Sequence, residues 1–259
     1  MPVKYSQAPI SEVICGVFFK SNFLLNNSVF FQLLAKFSKD YPAIQTHPIG
    51  PDEEVANGSI NATIDYPSAG FSTYRFSATD GGWQILLQQN MLTLHWVRQD
   101  NEQVGNYPGF KNVYGEFRKI FEFLKSLVGA DELLHSQIKN YYLSYVDRVD
   151  LEPFKRSGRA ISDILTIPAP GFALNDIKYK ADNYFARFST PCEAINGNAI
   201  MSVNSPTIIP FGQILIVDNK VKGTPATLEH IDEWFESAHS IQTSFFENIF
   251  KPDILEQWK

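Results

Sequence analysis

Tyr145, Asp147, Arg148 and Asp150 stand close together in NYYLSYVDRVDLEPF, residues 140–154. The stretch otherwise reads as strand: Tyr141, Leu143, Tyr145, Val149 and Leu151 share one face at the two-residue period, and Asp147 interrupts them. Arg148 falls on the other face beside Asp150. A guanidinium among carboxylates and a phenol is a ligand-binding set, and Asp147 with Asp150 could hold a metal for hydrolysis. The structural alternative is an ion-pair network, because an unpaired charge in an internal strand is costly. On that reading Arg148 pairs with Asp150 or with an acid on the adjoining strand. Asp147 then takes a donor such as Arg187 or Arg75.

Two further constellations carry charge. Glu132 with His135, and Glu236 with His239, both read Glu-x-x-His, the spacing that places two ligands on one helix face in di-iron bundles. The chain is rich in strands, so no bundle is expected to bring the pairs together, and neither metal nor cofactor is expected. Lys155, Arg156 and Arg159 form a local basic cluster that suits a partner or phosphate contact, or a solvated loop. His95 alternates with Leu92, Leu94 and Trp96 and reads as a strand histidine with a satisfied ring. Phosphate-cradling glycine loops, nucleophile elbows and zinc-finger spacings are missing from the sequence, and no catalytic residue is assigned.

The elements that must position these groups follow from periodicity. Residues 11–19 form an apolar β-rich run, as for a strand buried on both faces, and residues 27–41 turn helical before Pro42. The Gly-, Pro- and acid-rich text from 47 to 67 reads as a long loop with one short strand near 60–64. Three strands follow at 71–78, 83–89 and 92–98. Phe110, Val113, Phe117, Phe121, Leu124 and Val128 then make one helical stripe that Gly129 closes. The order repeats: the strand at 138–151, a short helical turn at 160–167, three strands, and a long helix that Thr224–Pro225 starts and Pro252 stops. The expected fold class is α+β, with duplicated β-α-β-β-β-α units at 1–129 and 138–259. A largely antiparallel sheet would pack against the long helices, leaving a concave binding place between the halves.

Bulk properties narrow the class. The chain has 259 residues and a net charge of −6, so no global basic field exists to hold a phosphate backbone, and nucleic acid is an unlikely partner. Cys15 and Cys192 fit reduced thiols of a cytoplasmic protein. The first residues lack the apolar run of a signal peptide, and VICGVFF is far too short to span a membrane.

APISEVICGVFF near the start, YPGF before the first long helix, SYVDRVDL at mid-chain and FENIFKPDILEQW at the end together resemble a sporadically distributed bacterial protein family of unknown function, of about this length. At the middle landmark that family tends to read basic residue, Tyr, hydrophobic, Asn, Arg; here Ser144 and Asp147 occupy the first and fourth places. The resemblance implies no activity, and the patchy distribution of the family implies accessory loci such as defence or toxin–antitoxin systems. The expected function is therefore non-enzymatic macromolecular interaction in the bacterial cytoplasm, with a protein partner or self-association. The alternatives are a binder of a small apolar or nucleotide-like ligand anchored by Arg148, and a metal-dependent hydrolase or nuclease.

Overall fold

The computed structural model describes residues 5–20, 27–48, 72–88, 90–99, 107–129, 131–166, 173–174, 177–178, 184–209, 212–225 and 227–259. In chain order the first elements are β1 (Ile10–Phe19), α1 (Asn27–Asp40), β2 (Ala43–Pro48), β3 (Ser72–Ser77), β4 (Trp83–Gln88), β5 (Met91–Val97), α2 (Phe110–Val128) and α3 (Asp131–Gln137). There follow β6 (Ile138–Asp150), α4 (Glu152–Arg156), β7 (Ala173–Leu174), β8 (Ile177–Lys178), β9 (Tyr184–Cys192), β10 (Gly197–Ile209), β11 (Gly212–Gly223), α5 (Ile231–Ile249) and α6 (Pro252–Gln257). The expected strand near 60–64 lies outside the described residues.

The fold is α+β, built on a nine-stranded antiparallel sheet in the order β2-β3-β4-β5-β1-β6-β11-β10-β9. β1 and β6 pair at its middle, Cys15 opposite Leu143, and each is flanked on its outer side by β5 or β11. Period-two alternation sorts the side chains. Val13, Cys15 and Val17 of β1 and Leu143 and Tyr145 of β6 point to the helices and are buried. Glu12, Ile14 and Phe18 point away and are only half-buried. Every described helix packs on the side of the sheet to which Val13, Cys15 and Val17 point, and on the other side Gly16, Thr93, Tyr142 and Ser144 are buried as well.

Two apolar clusters fill that side. In the larger one Phe117 and Phe121 of α2 meet Tyr141 of β6 and Phe235 of α5, with Phe117–Phe235 centroids 5.4 Å apart. The smaller one gathers Val149, Leu215 and Val217 of the sheet under α4, α6 and the end of α5. α2 ends as its sequence demands: Gly129 adopts φ 75°, and its N–H donates to the Lys125 carbonyl at 2.9 Å.

α5 starts later than Thr224–Pro225 would suggest. The Thr224 hydroxyl instead donates to the Lys139 carbonyl at 2.9 Å. Thr227 is extended and bonds the His230 ring at 2.7 Å, so a single 3₁₀ turn at Leu228–His230 leads into the helix at Ile231. Pro252 does not simply stop α5; it opens α6 at a position that needs no N–H.

Gln242 is the polar exception on the buried face of α5. Its Nε2 donates to the carbonyls of Leu143 (3.0 Å) and Asn219 (2.7 Å), clamping the helix onto β6 and β11 at once. Gln242→Leu keeps the volume but leaves two buried carbonyls without that donor. It should cost about 2 kcal/mol, seen as a lower urea midpoint at unchanged slope. An unchanged midpoint would show that the clamp contributes nothing to stability.

Candidate functional site on the sheet face opposite the helices

Residues directly opposite in an antiparallel pair share a face, so the register lays out the side of the sheet that no described helix covers. Three rows cross its centre. Glu12, Val146, Asp218, Ser202 and Arg187 form one; Gln84, His95, Ile14, Ser144 and Lys220 the next; Arg75, Leu86, Thr93, Gly16, Tyr142 and Lys222 the third.

These rows are knitted by polar contacts. The His95 ring bonds Glu12 Oε1 through Nδ1 at 2.7 Å and the Thr93 hydroxyl through Nε2 at 2.9 Å. Ser144 donates to Asp218 Oδ1 at 3.0 Å, and Lys220 pairs with Asp218 Oδ2 at 2.9 Å. The Lys222 ammonium lies 5.6 and 5.7 Å from the ring centres of Phe18 and Tyr142. Burial works to raise the Glu12 carboxyl, but the His95 hydrogen bond and the charges of His95, Arg148 and Arg75 hold it below the ordinary carboxylate value. Arg75, Arg148, Arg187 and Lys222 make no ion pair among the described residues. An acidic chain thus gathers these four cations on one face of its sheet.

The mid-chain set expected from the sequence is split by the sheet. Tyr145 and Asp147 lie beneath the helices, whereas Arg148 and Asp150 are exposed on the opposite side. One small ligand cannot touch all four. The buried Arg148–Asp150 pair is corrected: Asp150 Oδ1 accepts the Glu152 N–H at 3.0 Å at the start of α4, and the exposed Arg148 lends its charge to Glu12. Asp147 has no donor for either oxygen among the described residues, since Arg75 and Arg187 stand on the opposite face. Burial, then the nearby Asp218 carboxylate, push its carboxyl up to about 7 against the opposing charge of Arg98.

Tyr145 is one link of a buried chain. Its hydroxyl lies 3.0 Å from that of Tyr107 and 3.1 Å from His239 Nδ1, and His239 stacks on Phe110 at 4.2 Å. Burial lowers the His239 ring to about 4, which keeps it neutral and occupied within the core. Among the described residues no three His, Cys, Asp or Glu side chains gather as metal ligands. Of the basic cluster, Lys155 contacts Glu152 and Gln213, and Arg159 ties α4 to α6 through Asp253 at 2.6 Å. Arg156 alone of the three keeps no ion pair among the described residues.

Between sheet and helices a cleft of about 440 Å³ opens beside α1 and α2, lined by Phe37, Tyr41, Trp83 and Phe123. Its rim charges are already matched, Lys36 with Asp40 at 2.7 Å and Lys119 with Glu116 at 2.6 Å. Arg148 does not line it, so it cannot anchor a ligand there.

The contacts of Glu12, Thr93 and His95 were not foreseeable from the chain. Thr93 and His95 are two apart in one strand, a signal that they share a face, but nothing local announces Glu12 on another strand. No helix of the described residues is long and apolar enough to cross a membrane. Comparison with protein-family models, curated proteins and solved structures finds no match to this chain.

Proposed function

We propose that this protein acts by macromolecular interaction in the cytoplasm, docking an acidic protein surface on the exposed residues of the sheet face opposite the described helices. The defence or toxin-neutralising setting implied by the resemblance is compatible with that role. The observation that carries the reading is the set of cations that form no ion pair among the described residues, Arg75, Arg148, Arg187 and Lys222, on one face of an acidic chain. The face suits a protein better than a phosphate backbone, because Ile14, Val146 and Ile200 lie between the charges and Glu12 and Asp218 interrupt them. Phe185, 67% exposed and on the same face of the edge strand β9, supplies an aromatic anchor.

A photo-crosslinking side chain placed at Phe185, in cells that carry the gene, should capture a protein. The same group at Phe31, exposed on α1, should not. Arg148→Glu with Lys222→Glu should abolish capture at an unchanged melting temperature. Capture from Phe31 alone, or of nucleic acid instead of protein, overturns the assignment.

We also propose that residues 1–129 and 138–259 are two copies of one unit. In support, β3-β4-β5-β1 and β9-β10-β11-β6 follow the same order, each half returning its last strand to lie beside its first. A second reading rests on the cleft beside α1 and α2: its aromatic lining suits a small apolar ligand.

A further inference from the structure

Thr93, His95 and Glu12 form a hydroxyl–imidazole–carboxylate series, joined at 2.9 and 2.7 Å, on the sheet face opposite the described helices, with Thr93 buried and Glu12 half-buried. A strand histidine needs only a satisfied ring, and several features go beyond that need. Glu12 is held ionised and can only accept, so His95 Nδ1 must carry its proton toward Glu12. In the neutral ring Nε2 is then left as an acceptor, and the Thr93 hydroxyl donates to it. That is the tautomer in which an imidazole can take a proton from a hydroxyl nucleophile while a carboxylate orients it.

The surroundings add an electrophile. Arg75 stands in the same cross-strand row as Thr93, two strands away, and its charge reaches Glu12 on the strand beyond. Its buried Nε hydrogen-bonds to nothing among the described residues. Arg148 approaches Glu12 from β6. Gly16 sits beside Thr93, where a Cβ would come within 2.5 Å of Thr93 Cγ2. The Thr93 methyl occupies the place a Gly16 side chain would take, so the glycine lets β1 and β5 seat Thr93 in its buried position.

We propose that Thr93, His95 and Glu12 are a catalytic set for acyl transfer from an ester whose acyl group carries a negative charge, with Arg75 and Arg148 binding that charge. Thr93 Oγ1 bonds to the ester carbonyl carbon as its proton passes to His95 Nε2. The ester C–O bond breaks, and the departing alkoxide takes the proton from His95. Water then attacks the threonyl ester, gives a proton to His95, and the acid leaves as that proton returns to Thr93 Oγ1. The sum is ester plus water to carboxylic acid plus alcohol. This goes beyond partner docking and is tested on the isolated protein, so its failure leaves the docking face standing.

The probe is the mono-p-nitrophenyl ester of succinic acid, with p-nitrophenyl acetate as its uncharged comparison. The parent should hydrolyse the succinyl ester, and acid quenching should trap one succinyl group on the peptide that contains Thr93. Thr93→Val and His95→Gln should each lose about 10²–10⁴-fold in rate, while Thr93→Ser retains turnover. His95→Gln preserves hydrogen-bonding capacity on both sides, so an unchanged melting temperature separates chemistry from support. Arg75→Gln should raise KM for the succinyl ester and leave that for the acetate alone. Hydrolysis no faster than in Thr93→Val, or an adduct on a lysine instead of Thr93, refutes the assignment.

Discussion

Asp147→Asn melts above the parent protein at pH 8, and its advantage fades as the pH falls toward 4. The carboxyl is 1% exposed, neither oxygen has a hydrogen-bond partner among the described residues, and its pKa stands near 7 against an ordinary 3.8. A carboxyl raised on folding binds its proton more tightly in the native state. Stability is therefore undiminished below 3.8, falls as pH rises through the window from 3.8 to about 7, and stays low above it. At roughly 1.4 kcal/mol per pH unit the ionised group costs on the order of 4 kcal/mol at pH 8. Asn removes the charge but brings two amide hydrogens into the same unpaired setting, so the net gain should be about 2–4 kcal/mol. Denaturant titrations of both proteins at intervals between pH 4 and 8 measure it. Parallel stability curves would mean that Asp147 has an unseen partner and is no liability.

Ala at Gly223 or at Gly197 should each destabilise by about 3 kcal/mol or more. The two glycines face each other where β10 and β11 pair. A Cβ on Gly197 would fall inside the van der Waals shell of the Lys222 carbonyl oxygen, and one on Gly223 inside that of Ile195. The obstacles are backbone atoms, so no rotamer change relieves them. Trp234 adds to the crowding: its indole N–H donates to the same Ile195 carbonyl at 2.9 Å. Gly115 supplies the contrast. It lies within α2 with nothing near the place of a Cβ, so Gly115→Ala should stabilise by about 0.5–1 kcal/mol. Urea midpoints of the three variants test the set. A tolerated Gly223→Ala would show that the strand pair can separate there.

Where periodicity ran long, the chain could be read directly. The stripe from Phe110 to Leu124 and the closing Gly129 specify α2, because burial of one face and a left-handed cap are both local properties. The alternation of β1 and β6 likewise put Asp147 and Arg148 on opposite sides. Which side the helices cover is not a local property, and that choice decides everything about these two residues. It buries Asp147 with no hydrogen-bond partner among the described residues and leaves Arg148 exposed, so neither makes the pairing its sequence suggests. The start of α5 depends on a similar non-local contact: the Thr224 hydroxyl bonds a carbonyl of β6, so the expected cap serves the sheet instead. The Glu12–His95 contact joins residues 83 apart, beyond any motif.

The β1–β6 pairing also orders events in time. β1 leaves the ribosome before β6, and β5 closes one of its edges in the interval. Its other edge must wait for Ile138–Asp147. Until then a row of backbone donors and acceptors beside Val13, Cys15 and Val17 stands open, the arrangement that recruits foreign strands. The nascent first half is thus a sticky intermediate whose natural quencher is its own second half. A truncated chain ending near residue 130 would keep that edge indefinitely, and its fate is association rather than solubility.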